Sequence, residues 1–197
     1  ALAGKLGLAS GEPEAWRRAA DLMFVPWDPA SGLFPQDDSF FNKAPWFVNE
    51  EPKARRPLLL HYHPLVIYRY QVLKQPDLVL AQLLQGDLFT REEKRRNFAY
   101  YEALTTGDSS LSHCIQSIVA AETGDPAKAW DYLRKTVRMD LDDLHGNVHD
   151  GIHAAAMAGS WLSMVYGFAG FWDHIRSRAE GGGGEMPQSL SWSVDPH

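Results

Sequence analysis

Residues 105–112 read Thr105-Thr106-Gly107-Asp108-Ser109-Ser110-Leu111-Ser112 and stand directly before an apolar helical run that extends to Glu122. This stretch places hydroxyls, a carboxylate and a flexible glycine where the first backbone N–H groups of a helix have no partner within that helix. Free N–H groups of this kind favour a polar or anionic ligand. The stretch therefore predicts a helix over residues 109–122 with a polar site at its beginning.

Helical periodicity with recognisable caps continues on both sides of this stretch. Thr90 and Glu93 have the spacing of a capping box, and Asp125 precedes Pro126 at a first helical position. The predicted helices span residues 15–24, 64–73, 77–86, 91–103, 109–122, 126–139 and 151–168. Because strand patterns are scarce, the sequence predicts an all-α fold of paired helices.

Two regions lack this periodicity. Residues 25–60 contain six prolines and no helical or strand period, so we expect a long, functional or structure-crossing connection there. Residues 181–184 are four consecutive glycines, and residues 185–197 show no clear pattern. The predicted organisation is a helical domain over residues 1–175 and a glycine-rich flexible tail over residues 176–197.

Charge and composition narrow the classes of partner. The net charge is −6 and no run is rich in Lys and Arg, which argues against nucleic acid and anionic membranes. The densest basic cluster, Lys94-Arg95-Arg96, lies among acidic residues and is interpreted as a solvated helix face. No segment reaches the ~18 consecutive apolar residues of a membrane span, and residues 1–10 lack the length of the apolar h-region of a signal peptide. A cytoplasmic protein fits these observations.

The aromatic residues and the cysteine allow simple interpretations. Seven Trp, seven Tyr and nine Phe are many for 197 residues, and they fit either a large aromatic core or a sugar-binding cleft. Cys114 lies inside an apolar helical run, where a small buried hydrophobic residue is commoner than a nucleophile. An internal disulfide is excluded because the sequence has one cysteine.

Three further polar clusters stand at predicted helix ends. They are Lys74-Gln75-Pro76-Asp77, His61-Tyr62-His63-Pro64 and Asp150-Gly151-Ile152-His153. The histidines at positions 61 and 63 have no carboxylate or thiol at a matching spacing, so we expect hydrogen bonding at a helix entry and no metal site. The spacing alone leaves open whether the four clusters converge.

Several motifs together resemble the central domain of glycoside hydrolase family 65, which includes maltose, trehalose and kojibiose phosphorylases and some hydrolases. The resemblance runs from about Ala15 to Gly170 and is carried by Leu58 to Leu65, Val72 to Gln75, Arg95 to Phe98, Thr105 to Ser112 and Asp150 to Trp161. It implies an (α/α)6 barrel, an α/α toroid with its active site on the helix-connecting loops. This chain would supply roughly the C-terminal half of that barrel.

The resemblance also implies roles for individual residues. In inverting phosphorolysis, a carboxylic acid protonates the glycosidic oxygen and phosphate attacks C1 from the opposite face. The family pattern assigns Lys74 and Gln75 to the donor sugar, and Ser109, Ser110 and His153 to phosphate. Without the resemblance, the serines would fit helix capping, the histidine a hydrogen-bonded core position and the lysine the surface. Inorganic phosphate would be the co-substrate, with no cofactor and no metal.

Two positions depart from the family pattern. Pro76 stands where the family usually has Ala, and proline biases Gln75 toward an extended backbone. Gly107 stands where phosphorylases generally carry His, which removes one potential phosphate donor and leaves water as a possible nucleophile or an inactive lineage. Asp108 could then act as a base or cap the following helix, and we expect the cap.

The family's general-acid glutamate lies in a glycine-proline-acid segment that has no counterpart in this sequence. We therefore expect no catalytic residue among the 197 residues and an inactive isolated chain. Two hypotheses stay open. In the first, the chain is part of an enzyme that acts on an α-linked glucose disaccharide. A phosphorylase is the preferred activity, and a hydrolase is the second choice. The other is a non-catalytic helical binding or scaffold protein. A partial barrel would expose apolar faces, so a homo-oligomer or the missing catalytic half is the expected partner.

Overall fold

The computed structural model describes residues 2–7, 11–46 and 55–171. The predicted tail at 176–197 lies outside these residues. The described helices are α1 (Leu2–Lys5), α2 (Glu12–Asp21), α3 (Leu58–His61), α4 (Pro64–Ile67), α5 (Asp77–Leu84), α6 (Arg91–Leu104), α7 (Ser112–Thr123), α8 (Pro126–Val137) and α9 (Ala154–Leu162). A π-helical segment, Ser163–Phe168, continues α9. Two-residue strands β1 (Ala44–Pro45) and β2 (Tyr70–Gln71) pair in parallel. The all-α prediction is confirmed.

Helix α7 is the centre of the packing. It contacts α5, α6, α8, α9 and the π-helical segment. Its buried residues are Ser112, Cys114, Gln116, Ser117, Ile118, Val119 and Ala120. These residues cover more than one side of the helix, so α7 packs against neighbours in several directions. The main core combines its apolar residues with Phe98, Tyr101 and Leu104 of α6.

The predicted caps are present at the ends of the packed helices. The Thr90 hydroxyl accepts from the Glu93 backbone N–H at 3.2 Å, and the Glu93 carboxylate accepts from the Thr90 N–H at 2.7 Å. The Asp125 carboxylate accepts from the Lys128 N–H at 3.0 Å at the start of α8. Between them, Gly124 ends α7 with a φ of +91°, a conformation that favours glycine. Each cap satisfies backbone groups that a helix leaves unpaired.

The helix predicted over residues 64–73 is shorter than expected. It ends at Ile67, and Tyr70–Gln71 forms the strand that pairs with Ala44–Pro45. The Gln71 side-chain amide donates to the Lys43 carbonyl at 2.7 Å, which fixes the strand against the preceding connection. A partner distant in sequence therefore overrides the local helical pattern.

The described part of the long connection after α2 packs against the core. The Phe34 N–H donates to Asn97 Oδ1 at 3.0 Å, and the Tyr101 hydroxyl donates to the Phe34 carbonyl at 2.5 Å. Phe40 is 2% exposed and packs its ring against Tyr101. The connection is thus held to α6 by hydrogen bonds and by aromatic packing.

The interpretation of Lys94-Arg95-Arg96 as a solvated face is wrong for the lysine. Lys94 is 3% exposed, and its Nζ pairs with Glu122 Oε1 of α7 at 2.5 Å. Arg95 and Arg96 are exposed and pair with Glu92 of the same helix. Lys94 faces α7 because its acidic partner comes from that neighbouring helix, which local charge patterning does not reveal.

Small residues allow α9 and its π-helical continuation to approach α7 closely. A Cβ added to Gly159 would lie 2.7 Å from both Cβ and Sγ of Cys114, and one added to Gly167 would lie 3.3 Å from the Cα of Ile118. The Ser163 hydroxyl donates to the Cys114 carbonyl at 3.2 Å across this contact. Cys114 is buried, as predicted.

Helix α2 differs from the packed helices because none of its residues is buried. Trp16 is 56% exposed, and the residues directly after the helix, Leu22 to Val25, are all at least 60% exposed. Of the two interpretations of the aromatic residues, the main core contains Phe and Tyr, whereas Trp27, Trp130 and Trp161 are also exposed. In the described part of the chain, no helix has the length and apolarity needed to cross a bilayer.

Candidate functional site

Backbone hydrogen bonds bring the segment before α5 next to the segment before α7. The Leu73 N–H donates to the Leu104 carbonyl at 2.9 Å, and the Thr106 N–H donates to the Leu73 carbonyl at 2.8 Å. Lys74 and Gln75 follow directly after Leu73, and the Thr105–Ser112 stretch follows Leu104. Two of the polar clusters that the sequence singled out therefore lie side by side.

Gln75 and Ser109 are in direct contact. Gln75 Nε2 donates to Ser109 Oγ at 2.7 Å, and the same hydroxyl accepts from the Leu111 N–H at 3.3 Å. Ser109 is 6% exposed and Gln75 is half-buried, whereas Lys74 is exposed. The Ser112 hydroxyl lies 3.5 Å from the Lys74 carbonyl, a long contact that adds to the same arrangement. The Gln75–Ser109 hydrogen bond joins a residue predicted to bind the sugar to one predicted to bind phosphate.

The start of α7 differs from the expected capping geometry. Its N-cap residue is Leu111, which makes no side-chain cap, and Ser110 is half-buried in the turn before it. The predicted cap by Asp108 is wrong. The Asp108 carboxylate instead lies 3.4 Å from the N–H of Leu58, because the aspartate stands too far before Ser112 to reach the first helical N–H groups.

His153 stands at the N-cap position of α9 and is fixed by Asp140. The His153 N–H donates to Asp140 Oδ2 at 2.9 Å, and His153 Nδ1 lies 2.5 Å from Asp140 Oδ1. These side-chain and backbone hydrogen bonds lower the pKa of Asp140, which stays ionised at neutral pH. An ionised carboxylate at Nδ1 favours the proton on that nitrogen, so Nε2 is left to meet a ligand.

Two further histidines lie between His153 and the loop before α7. The His145 ring is 6.2 Å from the His153 ring, measured between centroids. The His113 ring is 6.4 Å from His145 with an angle of 7° between their planes, and it also stacks on Tyr132 at 5.8 Å. We call His113, His145 and His153 the histidine row. It connects α7, the α8–α9 connection and α9.

The histidine row meets the loop before α7 at Gly107 and Asp108. Gly107 has a φ of +74°, and a Cβ added to it would lie 3.7 Å from His113 Nε2. The Asp108 carboxylate is close enough to His145 to favour its protonated form electrostatically. No hydrogen bond joins His153 directly to Ser109 or Ser110 in the described part of the chain. The row therefore supplies the structural connection between these predicted residues.

Burial keeps the inner members of the row neutral. The pKa of His113 is lowered to about 4, mainly by desolvation and to a smaller extent by the nearby Lys135 and His145. Desolvation, with His153 adding to it, also lowers the pKa of His145. Among the described residues, His113 Nδ1 and His145 Nε2 are buried without a hydrogen-bond partner. A neutral imidazole carries one N–H donor and one acceptor.

His61 and His63 take no part in this arrangement. His63 is the N-cap of α4, and its Nδ1 accepts from the Leu65 N–H at 3.2 Å, so its predicted structural role is confirmed. His61 is the last residue of α3 and is exposed. Among residues 2–7, 11–46 and 55–171, no group of three or more His, Cys, Asp or Glu side chains could hold a metal ion.

Sequence reasoning missed His113, His145 and Asp140. Their partners lie on other elements, so no local motif marks them. The signal that could have found them is composition: three of the eight histidines fall within residues 145–153, beside an acidic run at residues 140–143. That density indicates a polar cluster but does not show that His113 joins it.

An all-helical array with polar residues gathered at helix ends is characteristic of α/α-barrel catalytic domains. The chain belongs to this class and, within it, to glycosyl hydrolase family 65: the family model described as the "Glycosyl hydrolase family 65 central catalytic domain" matches residues 2–162. The family and fold-class predictions are confirmed.

Several similar proteins are phosphorylases, and others are uncharacterised glycosyl hydrolases, such as one of Mycobacterium leprae that is 42% identical over 168 residues. The chain is 52% identical over 169 residues to an alpha,alpha-trehalose phosphorylase of Thermoanaerobacter brockii, and 40% identical over 159 residues to a maltose phosphorylase of Bacillus subtilis. These alignments cover 86% and 81% of this chain but 22% and 21% of the relatives. A solved structure assigned as a kojibiose phosphorylase from the human microbiome matches with a TM-score of 0.77 and 31% identity. That match covers 88% of this chain and 23% of the solved one. The chain thus spans about a fifth of the length of its relatives.

Proposed function

We propose that this chain forms the donor-sugar and phosphate-binding part of an inverting α-glucoside phosphorylase. The observation that carries the proposal is the 2.7 Å hydrogen bond from Gln75 to Ser109. In phosphorolysis, the phosphate must lie beside the anomeric carbon of the bound sugar. A sugar-binding residue in contact with a phosphate-binding residue provides that adjacency.

The sugar half of the site consists of Lys74 and Gln75. Because Gln75 Nε2 donates to Ser109, its amide oxygen remains to accept from a sugar hydroxyl. The exposed Lys74 ammonium offers up to three donors to neighbouring hydroxyls. Pro76 follows directly, and the Ser112 hydroxyl lies near the Lys74 carbonyl, so the backbone of the pair is held against α7.

The phosphate half consists of Ser109, Ser110 and His153. Phosphate is already an anion, so the protein has to supply donors and positive potential rather than a base. The serines stand before the N-terminus of α7, whose dipole favours an anion. Asp140 orients His153 so that its other ring nitrogen can face the phosphate.

The disaccharide that we propose is α,α-trehalose. The trehalose phosphorylases of Thermoanaerobacter brockii and Geobacillus stearothermophilus are 52% and 49% identical to this chain, against 40% for the maltose phosphorylase. Inorganic phosphate would be the co-substrate, without a cofactor. The exposed Leu22 to Val25 segment would contact other parts of the catalytic domain or a second copy. A cytoplasmic location stays a prediction.

Titration of the 197-residue chain with glucose and with phosphate, followed by NMR chemical shifts, tests the proposal. We expect Gln75→Ala to weaken glucose binding and Ser109→Ala to weaken phosphate binding, each about fivefold to tenfold for one lost hydrogen bond. Gln85→Ala, at an exposed glutamine beyond α5, is the matched control and should leave both affinities unchanged.

Three outcomes are distinguishable. Weakening confined to the two site variants supports the proposal. Binding that survives both substitutions places the ligands elsewhere and contradicts it. A wild-type chain that binds neither glucose nor phosphate favours the non-catalytic binding or scaffold protein.

A further inference from the structure

We propose that His113 and His145 are anion-binding residues of this site. With His153 they would make the histidine row one continuous anion-binding surface from Gly107 to Asp140. The inference rests on the proposed function, because it adds two residues to the phosphate half of that site. Neither residue belongs to a motif that carries the family resemblance.

His113 presents a ring nitrogen to the loop before α7. Its Nε2 is the side-chain atom nearest to a Cβ built on Gly107, at 3.7 Å. Because Gly107 has no side chain, no atom beyond its Cα stands between the loop backbone and His113 Nε2. A proton on His113 Nε2 would therefore point toward an anion held by the loop.

The orientation of the His113 ring is fixed from behind. It stacks on Tyr132 at 5.8 Å and 26°. The Tyr132 hydroxyl donates to Glu102 Oε1 at 2.8 Å, and Lys128 pairs with the other oxygen of the same carboxylate at 2.6 Å. Two helices therefore hold the ring on which His113 rests. A fixed donor loses little freedom when it binds a ligand.

His145 fills the interval between the outer rings. Its plane is 7° from that of His113, and its centroid is 6.2 Å from that of His153. His145 Nε2 and His113 Nδ1 are buried without partners within the described residues, which is costly unless a ligand or a structural need compensates. We interpret the Nε2 atoms of His113 and His145 as donors prepared for an anion; with the proton of His113 on Nε2, its buried Nδ1 is an acceptor without a partner.

The charges that face the row set its response to pH. Lys135 and Asp131 of α8 face His113, and Asp108 faces His145. Asp140 faces His153. A bound dianion would favour protonation of His145, which lies between the other two rings and feels the Asp108 carboxylate. Binding of the dianion would then take up a proton, so affinity should rise as pH falls.

Sulfate is the probe that isolates this effect, because it stays a dianion across the neutral range whereas phosphate titrates there. We propose titrating the 197-residue chain with sulfate at about pH 6 and about pH 8, using histidine ring chemical shifts as the readout. The variants are His113→Phe and His145→Phe, which keep a flat ring and remove the nitrogens. His149→Phe is the control, because the His149 side chain is 75% exposed.

We expect His113→Phe and His145→Phe to weaken sulfate binding about fivefold to tenfold without lowering the urea midpoint, since each removes a buried nitrogen that lacks a partner. The wild-type chain should bind more tightly at the lower pH, and His145→Phe should reduce that dependence. The control should match the wild type. His113→Gln, which restores a donor, should recover part of the affinity.

The outcomes separate this inference from the proposed function. If the wild-type chain binds sulfate and His113→Phe and His145→Phe bind it equally well, anion binding by the histidine row is contradicted. The proposed sugar and phosphate site is then unaffected. If the wild-type chain binds neither sulfate nor phosphate, both proposals fail. If His113→Phe also unfolds more easily, a stable His113→Gln variant decides. Recovered sulfate affinity supports anion binding by the histidine row, and wild-type stability without recovered sulfate affinity contradicts it.

Discussion

Helices α2 and α7 were both predicted from the sequence, yet their environments are opposite. Seven residues of α7 are buried, whereas none of α2 is. The sequence pattern predicts both helices but not their bounds, because α2 spans Glu12–Asp21 against the predicted 15–24, and α7 spans Ser112–Thr123 against 109–122. Apolar residues in such a pattern need a partner to cover them. Whether that partner is present depends on the rest of the structure. In the described residues, α7 has its partners and α2 does not.

Truncation of a core side chain in α7 should have the largest effect. Ile118 is 1% exposed, and its Cα lies against Gly167. We expect Ile118→Ala to lower the free energy of unfolding by about 3 kcal/mol, because it removes buried methylene groups and leaves a cavity. Urea denaturation followed by circular dichroism measures this loss.

Ile152→Ala is the matched control, because Ile152 is 78% exposed. It should change stability by less than about 0.5 kcal/mol. Similar losses for the two isoleucines would show that α7 is not the centre of the core.

Acidification should lower the free energy of unfolding through His113, which lies on α7. The pKa of His113 is lowered to about 4 in the folded chain, against about 6.5 for an unfolded histidine. The unfolded chain therefore binds the proton first as the pH falls. The free energy of unfolding is therefore unaffected by His113 above about pH 6.5. It falls by about 2 kcal/mol as the pH drops toward 4, after allowance for solvent screening.

Urea midpoints of the wild type and His113→Phe across this pH range test the histidine contribution. The phenylalanine variant should lose less stability on acidification. Parallel curves for the two proteins would mean that the histidine ring is not desolvated in the fold.

Alanine substitutions of the glycines at the ends of α7 and α2 should have smaller effects on stability, and the two positions can be compared directly. Gly124 after α7 has a φ of +91°, and Gly11 before α2 has a φ of +99°. A Cβ on Gly124 would lie 2.7 Å from Arg91 Nη2, whereas nothing lies within 4 Å of one on Gly11. Both alanine variants strain the backbone by about 1 kcal/mol.

Gly124→Ala should cost the additional displacement of Arg91, which donates to the Glu122 carbonyl at 2.9 Å. Differential scanning calorimetry should therefore show a larger fall in melting temperature for Gly124→Ala than for Gly11→Ala. The reverse order would contradict the view that α2 lies outside the cooperative core.

The smallest effect is expected in α2. Trp16 is 56% exposed, so Trp16→Ala should change the free energy of unfolding by less than about 0.5 kcal/mol. Urea titrations at low and at high protein concentration check this. A loss above about 1 kcal/mol that appears only at high concentration would show that α2 is covered by a second copy in solution.

Local chemistry made a large part of the fold predictable. The capping box at Thr90 and the Asp125 cap each act within a few residues, and the structure has both of them. The sequence was less informative where contacts are distant. Residues 68–73 leave the helical pattern because Gln71 bonds to Lys43, and Lys94 is buried because Glu122 lies on the adjacent helix.

The same limit applies to the candidate site. Gln75 and Ser109 were predicted from the resemblance, and the hydrogen bond between them is in the structure. The positions of His113 and His145 depend on how α7, α8 and α9 pack together, so no motif records them. The roles of Lys74, Gln75, Ser109, Ser110 and His153 stay predictions.

The contact between Cys114 and Gly159 gives the molecule an internal reporter of local unfolding. The thiol is 5% exposed, and its burial raises its pKa, so a thiol reagent can react only when α9 separates from α7. With one cysteine in the chain, the labelling rate would measure the free energy of that opening without any substitution. Because α9 begins directly after His153, an anion bound at that residue should slow the labelling in proportion to its affinity.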